Sequence, residues 1–188
     1  PIDVPYLIRG EKKSHFGIST GIGYDAGVCQ EVLATPLKKV FNRLGLGKLI
    51  YLFIALKQLI FISPGKMTVT LDGENTFSYD HVYFTAVMNQ RYEGGGFKFC
   101  PDARPDDGQL DMILVEGVGK LKLLFCLPTA FFGKHTGIKG IHIMTCRDIH
   151  IRSENALPVH IDGESGGIRQ DLTVSIEKKP LKIILPVV

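Results

Sequence analysis

No two cysteines in this 188-residue sequence are spaced Cys-x-x-C. Cys29, Cys100, Cys126 and Cys146 stand far apart, which suits neither a zinc site nor a disulfide scaffold and points to reduced thiols in a cytoplasm. A membrane-spanning run is missing too. The most apolar stretch, "LIYLFIALKQLIFIS" at 49–63, falls short of the ~20 residues a bilayer requires and is interrupted by Lys57. Strong charge is absent. A formal net charge of +3 argues against a nucleic-acid partner, yet would not repel an anionic membrane surface. There is no repeat of fixed period and no low-complexity tract. There is also no starting methionine and no signal-peptide pattern; beginning at Pro1, the chain reads as a piece of a longer protein.

What is present is ordinary for one globular domain: 45% hydrophobic and 22% charged residues, in a chain long enough to bury a sizeable core. Residues 1–15 read as a lead-in strand and a loop. A short β-like run with four glycines follows in "HFGISTGIGYDAGV". From Val28 the pattern turns helical, as two helices broken around Pro36 and the Gly45/Gly47 pair. After Pro64-Gly65 the period becomes two. "KMTVTLDGENTFSYDHVYFTAVMN" predicts strand, turn and strand, and "RYEGGGFKFCP" a glycine-rich hairpin. Then come the loop "DARPDDG", the strand "QLDMILVEG", a helical excursion over "KLKLLFCLPTAFFGKHTG", and a β-rich end closing with "PLKIILP". Short strands at regular spacing suggest a mainly β fold, a β-sandwich with helical insertions.

Two Asp-Gly-Glu tripeptides occur, Asp72-Gly73-Glu74 and Asp162-Gly163-Glu164. Asp-Gly between β-branched runs is a hairpin signal, because glycine accepts the positive φ of the turn. By that criterion both are turns. The second is chemically richer: were its strand to run on, His160, Asp162 and Glu164 would share a face, and a carboxylate at a strand end beside ionisable groups is a plausible general base. In "ARPDDGQLD", Asp106, Asp107 and Asp111 lie close together and could aim oxygen ligands at a hard cation; from spacing alone a solvated hairpin loop is the better reading. "YEGGGFKF" has neither the Gly-Lys-Ser/Thr of a phosphate loop nor a βαβ setting. His135 and His160 are lone histidines suited to surface or hydrogen-bonded roles, and 49–63 reads first as core.

The order of these signals is more specific than any one of them. "GIGYDAGV", "MNQRYEGGGFKFCPDARPDDGQLDMILV", "GKHTG" and "PVHIDGES" succeed one another as in the C-terminal part of the diacylglycerol kinase-type lipid kinases, which the chain resembles from about His15 to Leu185. The resemblance implies the β-sandwich second domain of a two-domain kinase, NAD-kinase-like in architecture, occupying residues 1–188. It implies that Glu164 is the proton acceptor and Asp72-Gly73-Glu74 only a turn. Asp162 would orient Glu164 or assist a metal. It further implies a Mg²⁺ site of the Asp107 carboxylate with the carbonyls of Arg104 and Gln109, distinct from the Mg²⁺ that accompanies ATP. The family's nucleotide lobe carries a GGDGT loop, and no such motif occurs here. The expectation is thus a lipid-binding, base-carrying domain of phospholipid metabolism, cytoplasmic with peripheral membrane contact. A homodimer through an exposed strand edge is open. A non-catalytic lipid-binding module and an NAD-kinase-related enzyme stay as alternatives.

Overall fold

The computed structural model describes residues 1–43, 45, 47–177 and 181–182. Most of the closing strand expected over "PLKIILP" lies outside them. Among the described residues there are nine strands: β1 Pro5–Arg9, β2 Lys12–His15, β3 Ser19–Gly23, β4 Gly65–Leu71, β5 Asn75–Met88, β6 Leu110–Glu116, β7 Ile141–Cys146, β8 Ile149–Ile161 and β9 Glu164–Ile176. Four helices interrupt them there: α1 Tyr24–Ala34, α2 Leu37–Arg43, α3 Gly47–Phe61 and α4 Lys120–Phe131.

All the pairings are antiparallel. The strands run β2-β1-β9-β8-β3-β5-β6-β7, with β4 spanning β5 and β8. β5 and β8 are long because each has two tasks. Their first and second halves in space pair with β4 and with β3, so these two short strands lie end to end between the same long neighbours. The sheet thereby folds over itself. Leu7, Ile22, Val69, Val87, Met112, Ile151, Val159 and Leu172 meet inside as one core. The opposite faces of β5 and β6 supply Phe84, Ala86, Ile113 and Val115 to a second core beneath the helices. The period of two along β6 sends Met112 and Leu114 to one core and Ile113 and Val115 to the other.

The sandwich with helical insertions is what the sequence predicts; several elements differ in detail. The loop expected after the lead-in strand contains β2, so residues 5–15 form a hairpin. Helix α1 starts at Tyr24, four residues before the expected Val28, because Gly23 at φ 105° turns the chain straight out of β3. The helical stretch holds three helices, broken where Pro36 and Gly45 predict. Gly94–Gly96 form a single 3-10 turn and not a hairpin.

Candidate active site

Both Asp-Gly-Glu tripeptides are hairpin turns. Asp72 and Gly73 have φ of 52° and 73°, Asp162 and Gly163 of 49° and 81°, the positive pair a tight two-residue hairpin needs. In each, the aspartate clamps a neighbouring loop. Asp72 Oδ1 accepts the N–H groups of Arg147 and Asp148 at 2.8 and 3.0 Å. The Asp162 carboxylate accepts those of Gly17, Ile18 and Ser19 at 2.8, 2.8 and 3.0 Å. The same 17–19 segment is held from the other side, where Asn89 Nδ2 and Gln90 Nε2 donate to the Gly17 carbonyl. Because the chain reverses at Asp162, the shared face of His160, Asp162 and Glu164 does not form. His160 is wholly buried, while Glu164, at the first position of β9, is exposed.

What separates the two turns is their surroundings. Asp162 and Gly163 border a cavity of about 330 Å³ walled by Val28 of α1, Leu52 of α3, Phe84 of β5, Leu127 of α4 and the rings of Phe97 and Phe99. Tyr51, on the same wall, has its phenol raised chiefly by burial, with the Glu164 carboxylate adding to it. Glu164 itself follows directly on Gly163, which borders the cavity. No residue of Asp72–Glu74 lines this cavity.

The polar end of the cavity holds Asp25 and Glu93. Behind them is His160, whose Nε2 lies 2.8 Å from Asp25 Oδ2. The ring N–H is not well aimed at that oxygen, so the contact is an ion pair more than a directed hydrogen bond. The Gly163 N–H approaches Nδ1 at 3.3 Å, which in the neutral ring assigns the proton to Nε2, facing Asp25. Burial opposes charging of His160, but the carboxylates of Asp25, Glu93 and Asp162 overcome it and hold its pKa above the ordinary value. Glu93 is pushed up, first by burial and then by Asp25, with His160 and Ser19 partly offsetting this. Gly21 completes the packing: a Cβ there would stand 2.6 Å from His160 Nε2. Sequence reading missed Asp25 and Glu93. They arrive from a helix start and a loop end, and no local spacing links either to His160. His135 is buried with Nε2 2.9 Å from the Phe99 carbonyl, the hydrogen-bonded role expected of it.

The "ARPDDGQLD" residues do not join this site's lining. Arg104, Asp107 and Gln109 are exposed on one loop. Asp107 Oδ1 accepts the Gln109 N–H at 3.0 Å, Arg104 pairs with Asp106 at 3.3 Å, and Asp3 Oδ2 accepts the Gly108 N–H at 2.8 Å. Asp111 faces away, bonded to Thr145 at 2.6 Å. No group of three His, Cys, Asp or Glu side chains comes together among the described residues. A single carboxylate with main-chain oxygens in a tight turn is a donor set that suits a hard cation such as Mg²⁺ and no softer metal.

Residues 19–185 match the family model described as the YegS C-terminal NAD kinase beta sandwich-like domain. The chain belongs to this family. Among curated proteins it is 34% identical over 147 residues to YtlR of Bacillus subtilis (strain 168), named as a lipid kinase, covering 78% of this chain and 47% of that one. It is 28% identical to a Mycobacterium tuberculosis diacylglycerol kinase over 63% of this chain and 38% of the relative. The chain therefore spans about half or less of the length of these relatives. Among solved structures, a Bacillus anthracis str. Sterne protein named as a diacylglycerol kinase superposes with a TM-score of 0.66 at 23% identity, covering 94% of this chain and 54% of the other, a likeness of fold. A YegS C-terminal sandwich with its helices gathered over one face is therefore the frame in which the cavity and Glu164 sit.

Proposed function

We propose that this chain is the lipid-binding, proton-accepting domain of an ATP-dependent kinase that phosphorylates the hydroxyl of a diacylglycerol-like lipid at a membrane. The observation that carries the reading is the apolar cavity between helices and sheet, with Asp162 and Gly163 on its rim and Glu164 the next residue of the same turn. Acyl chains suit walls of Val28, Leu52, Phe84 and Leu127, and a lipid lodged there brings its hydroxyl towards the polar rim. Glu164 accepts the hydroxyl proton as the oxygen attacks. Asp162 positions Glu164 by pinning the turn that carries it. ATP, when bound, supplies the phosphoryl group, and phosphoryl transfer asks the protein for positioning and charge stabilisation. The names of the relatives, lipid kinase and diacylglycerol kinase, agree with this reading.

Glu164→Gln in the longer enzyme, assayed with ATP and diacylglycerol, is expected to lower turnover by about 10²–10⁴-fold while the fold is kept. Glu74→Gln is expected to be near neutral. Full turnover in the Glu164 variant would end the assignment. Glu93 is the second candidate for the base, since a carboxyl raised by burial at the cavity's polar end is tuned towards neutral pH. A loss seen with Glu93→Gln and not with Glu164→Gln would move the role there. If the chain is instead a binding module, it takes up diacylglycerol and no variant alters any phosphorylation.

The Asp107 loop belongs to the same proposal. Asp107 with the carbonyls of Arg104 and Gln109 would hold Mg²⁺, which when bound neutralises the carboxylate and ties the loop together. Asp107→Ala is expected to abolish the rise in melting temperature on adding Mg²⁺. An identical Mg²⁺ response in both proteins would refute the site.

A further inference from the structure

The distribution of acidic residues is uneven. From Val32 to Leu71 there is no Asp or Glu against six Lys and Arg, and from Gly117 to Arg147 none against five. These two segments contain α2, α3 and α4. Helices α2, α3 and α4 and their flanking turns are thus rich in cations in a protein whose net charge is only +3, with Lys57 paired to Glu31 of α1 and Lys66 to Asp80 of β5.

The same helices leave large apolar side chains in water. Phe53, Ile60 and Phe61 of α3, Leu121 and Phe125 of α4, and Phe132 at its end are 56–77% exposed. On α3, Ile50, Ile54 and Leu59 are buried while Leu49, Leu52, Phe53, Ile60 and Phe61 are exposed; on α4, Leu123, Cys126 and Ala130 are buried while Leu121 and Phe125 are exposed on the opposite side. Both helices are therefore apolar nearly all round, which water alone does not favour. They lie antiparallel. Lys120 Nζ at the start of α4 donates to the Ile60 carbonyl at the end of α3, while Leu49 near the start of α3 and Phe131 at the end of α4 line one cavity.

We infer that the outer face of α3 and α4 docks on an anionic lipid bilayer, with the apolar side chains entering the headgroup boundary and the surrounding lysines contacting acidic lipid. Charge complementarity is one reason, each Lys or Arg near such a surface contributing about 1 kcal/mol. Continuity is the other. Leu49, Leu52 and Phe131 are partly exposed and also line the cavity, so the patch reaches the cavity's rim. A protein seated there would close the entrance to a water-insoluble substrate, whereas a bilayer would feed it. That second reason rests on the lipid-kinase reading; the charge and the exposed side chains do not.

The test is flotation of this chain with vesicles of phosphatidylcholine alone, and of phosphatidylcholine with one third phosphatidylglycerol, neither containing diacylglycerol. Binding is expected only with phosphatidylglycerol and is expected to weaken with salt. The double variants Phe61→Ser/Phe125→Ser and Lys122→Gln/Lys134→Gln are each expected to lower it about tenfold or more with unchanged circular dichroism. Equal binding to both vesicles, no binding, or variants that bind like the parent would overturn the inference. So would a patch whose substitution abolishes concentration-dependent self-association without touching vesicle binding, which would assign the face to a second copy. Since the vesicles hold no substrate, docking is read separately from phosphorylation. Turnover of a dispersed short-chain diacylglycerol in the longer enzyme tests the kinase reading by itself.

Discussion

Asp72 and Asp162 show how little a residue's identity says by itself. Each begins an Asp-Gly-Glu turn with positive φ and each clamps the backbone of an adjacent loop. Only the second borders the apolar cavity beneath the helices, whose wall is largely built by segments distant in sequence. Glu93 has the same lesson in its titration. Burial and Asp25 raise its folded pKa above the ordinary carboxylate value, so the native state holds the proton more tightly than the unfolded chain. Its contribution to stability is therefore full below the ordinary value and lost as pH rises through the raised one. Glu93→Gln, neutral at every pH, is expected to be more stable than the parent at neutral pH and to lose part of the downward slope across the weakly acid range. Urea unfolding at a series of pH values measures this, and parallel curves for the two proteins would count against a buried, titrating Glu93. None of this could be read beforehand. Glu164 was marked by motif order, but the meeting of Asp25, Glu93 and His160 depends on α1, the loop after β5 and the end of β8 converging.

At the scale of elements, periodicity was most informative where one face is buried and the other is not. β4, in which Met67, Val69 and Leu71 are buried and Thr68 and Thr70 are not, falls with its Asp-Gly turn where alternation puts it. Helix α1 begins before its sequence pattern predicts because it is covered on several sides. Tyr24, Ala26, Val28 and Val32 are all buried, so no clean apolar stripe marks its first turn. In β8 the register shifts between Arg152 and Leu157, which lets Pro158 sit inside one continuous strand that reads as two. The clamp at Asp162 is a property of the hairpin as a unit. Asp162→Ala frees three backbone N–H groups and is expected to cost about 2 kcal/mol, reduced from the buried figure because the site is partly open to water. On the proposed kinase reading it is also expected to lower turnover, by loosening the turn that carries Glu164. Asp72→Ala should show a comparable stability loss with turnover kept. Paired melting and activity assays separate the two, and equal activity losses would show that the clamp is not specific to the site.

For the molecule as a whole, the sandwich was legible from strand spacing, while the way it closes was not. Residue patterns do not reveal that β5 and β8 each serve both β3 and β4. The consequence is that neither core can come apart alone, since Phe84 and Val87 on the same strand belong to different ones. Denaturant unfolding of the chain is expected to give a single transition, superimposable by far-ultraviolet circular dichroism and tyrosine fluorescence. Separate midpoints would mean that the helical layer melts independently.

Two shared girders also limit how the domain can move. Through β3, which pairs Gly23 with Phe84 of β5 and Thr20 with Ile161 of β8, the acid-bearing turn is tied to the sheet side of the cavity wall. Any widening of that cavity is therefore left to its helical side, α1, α3 and α4.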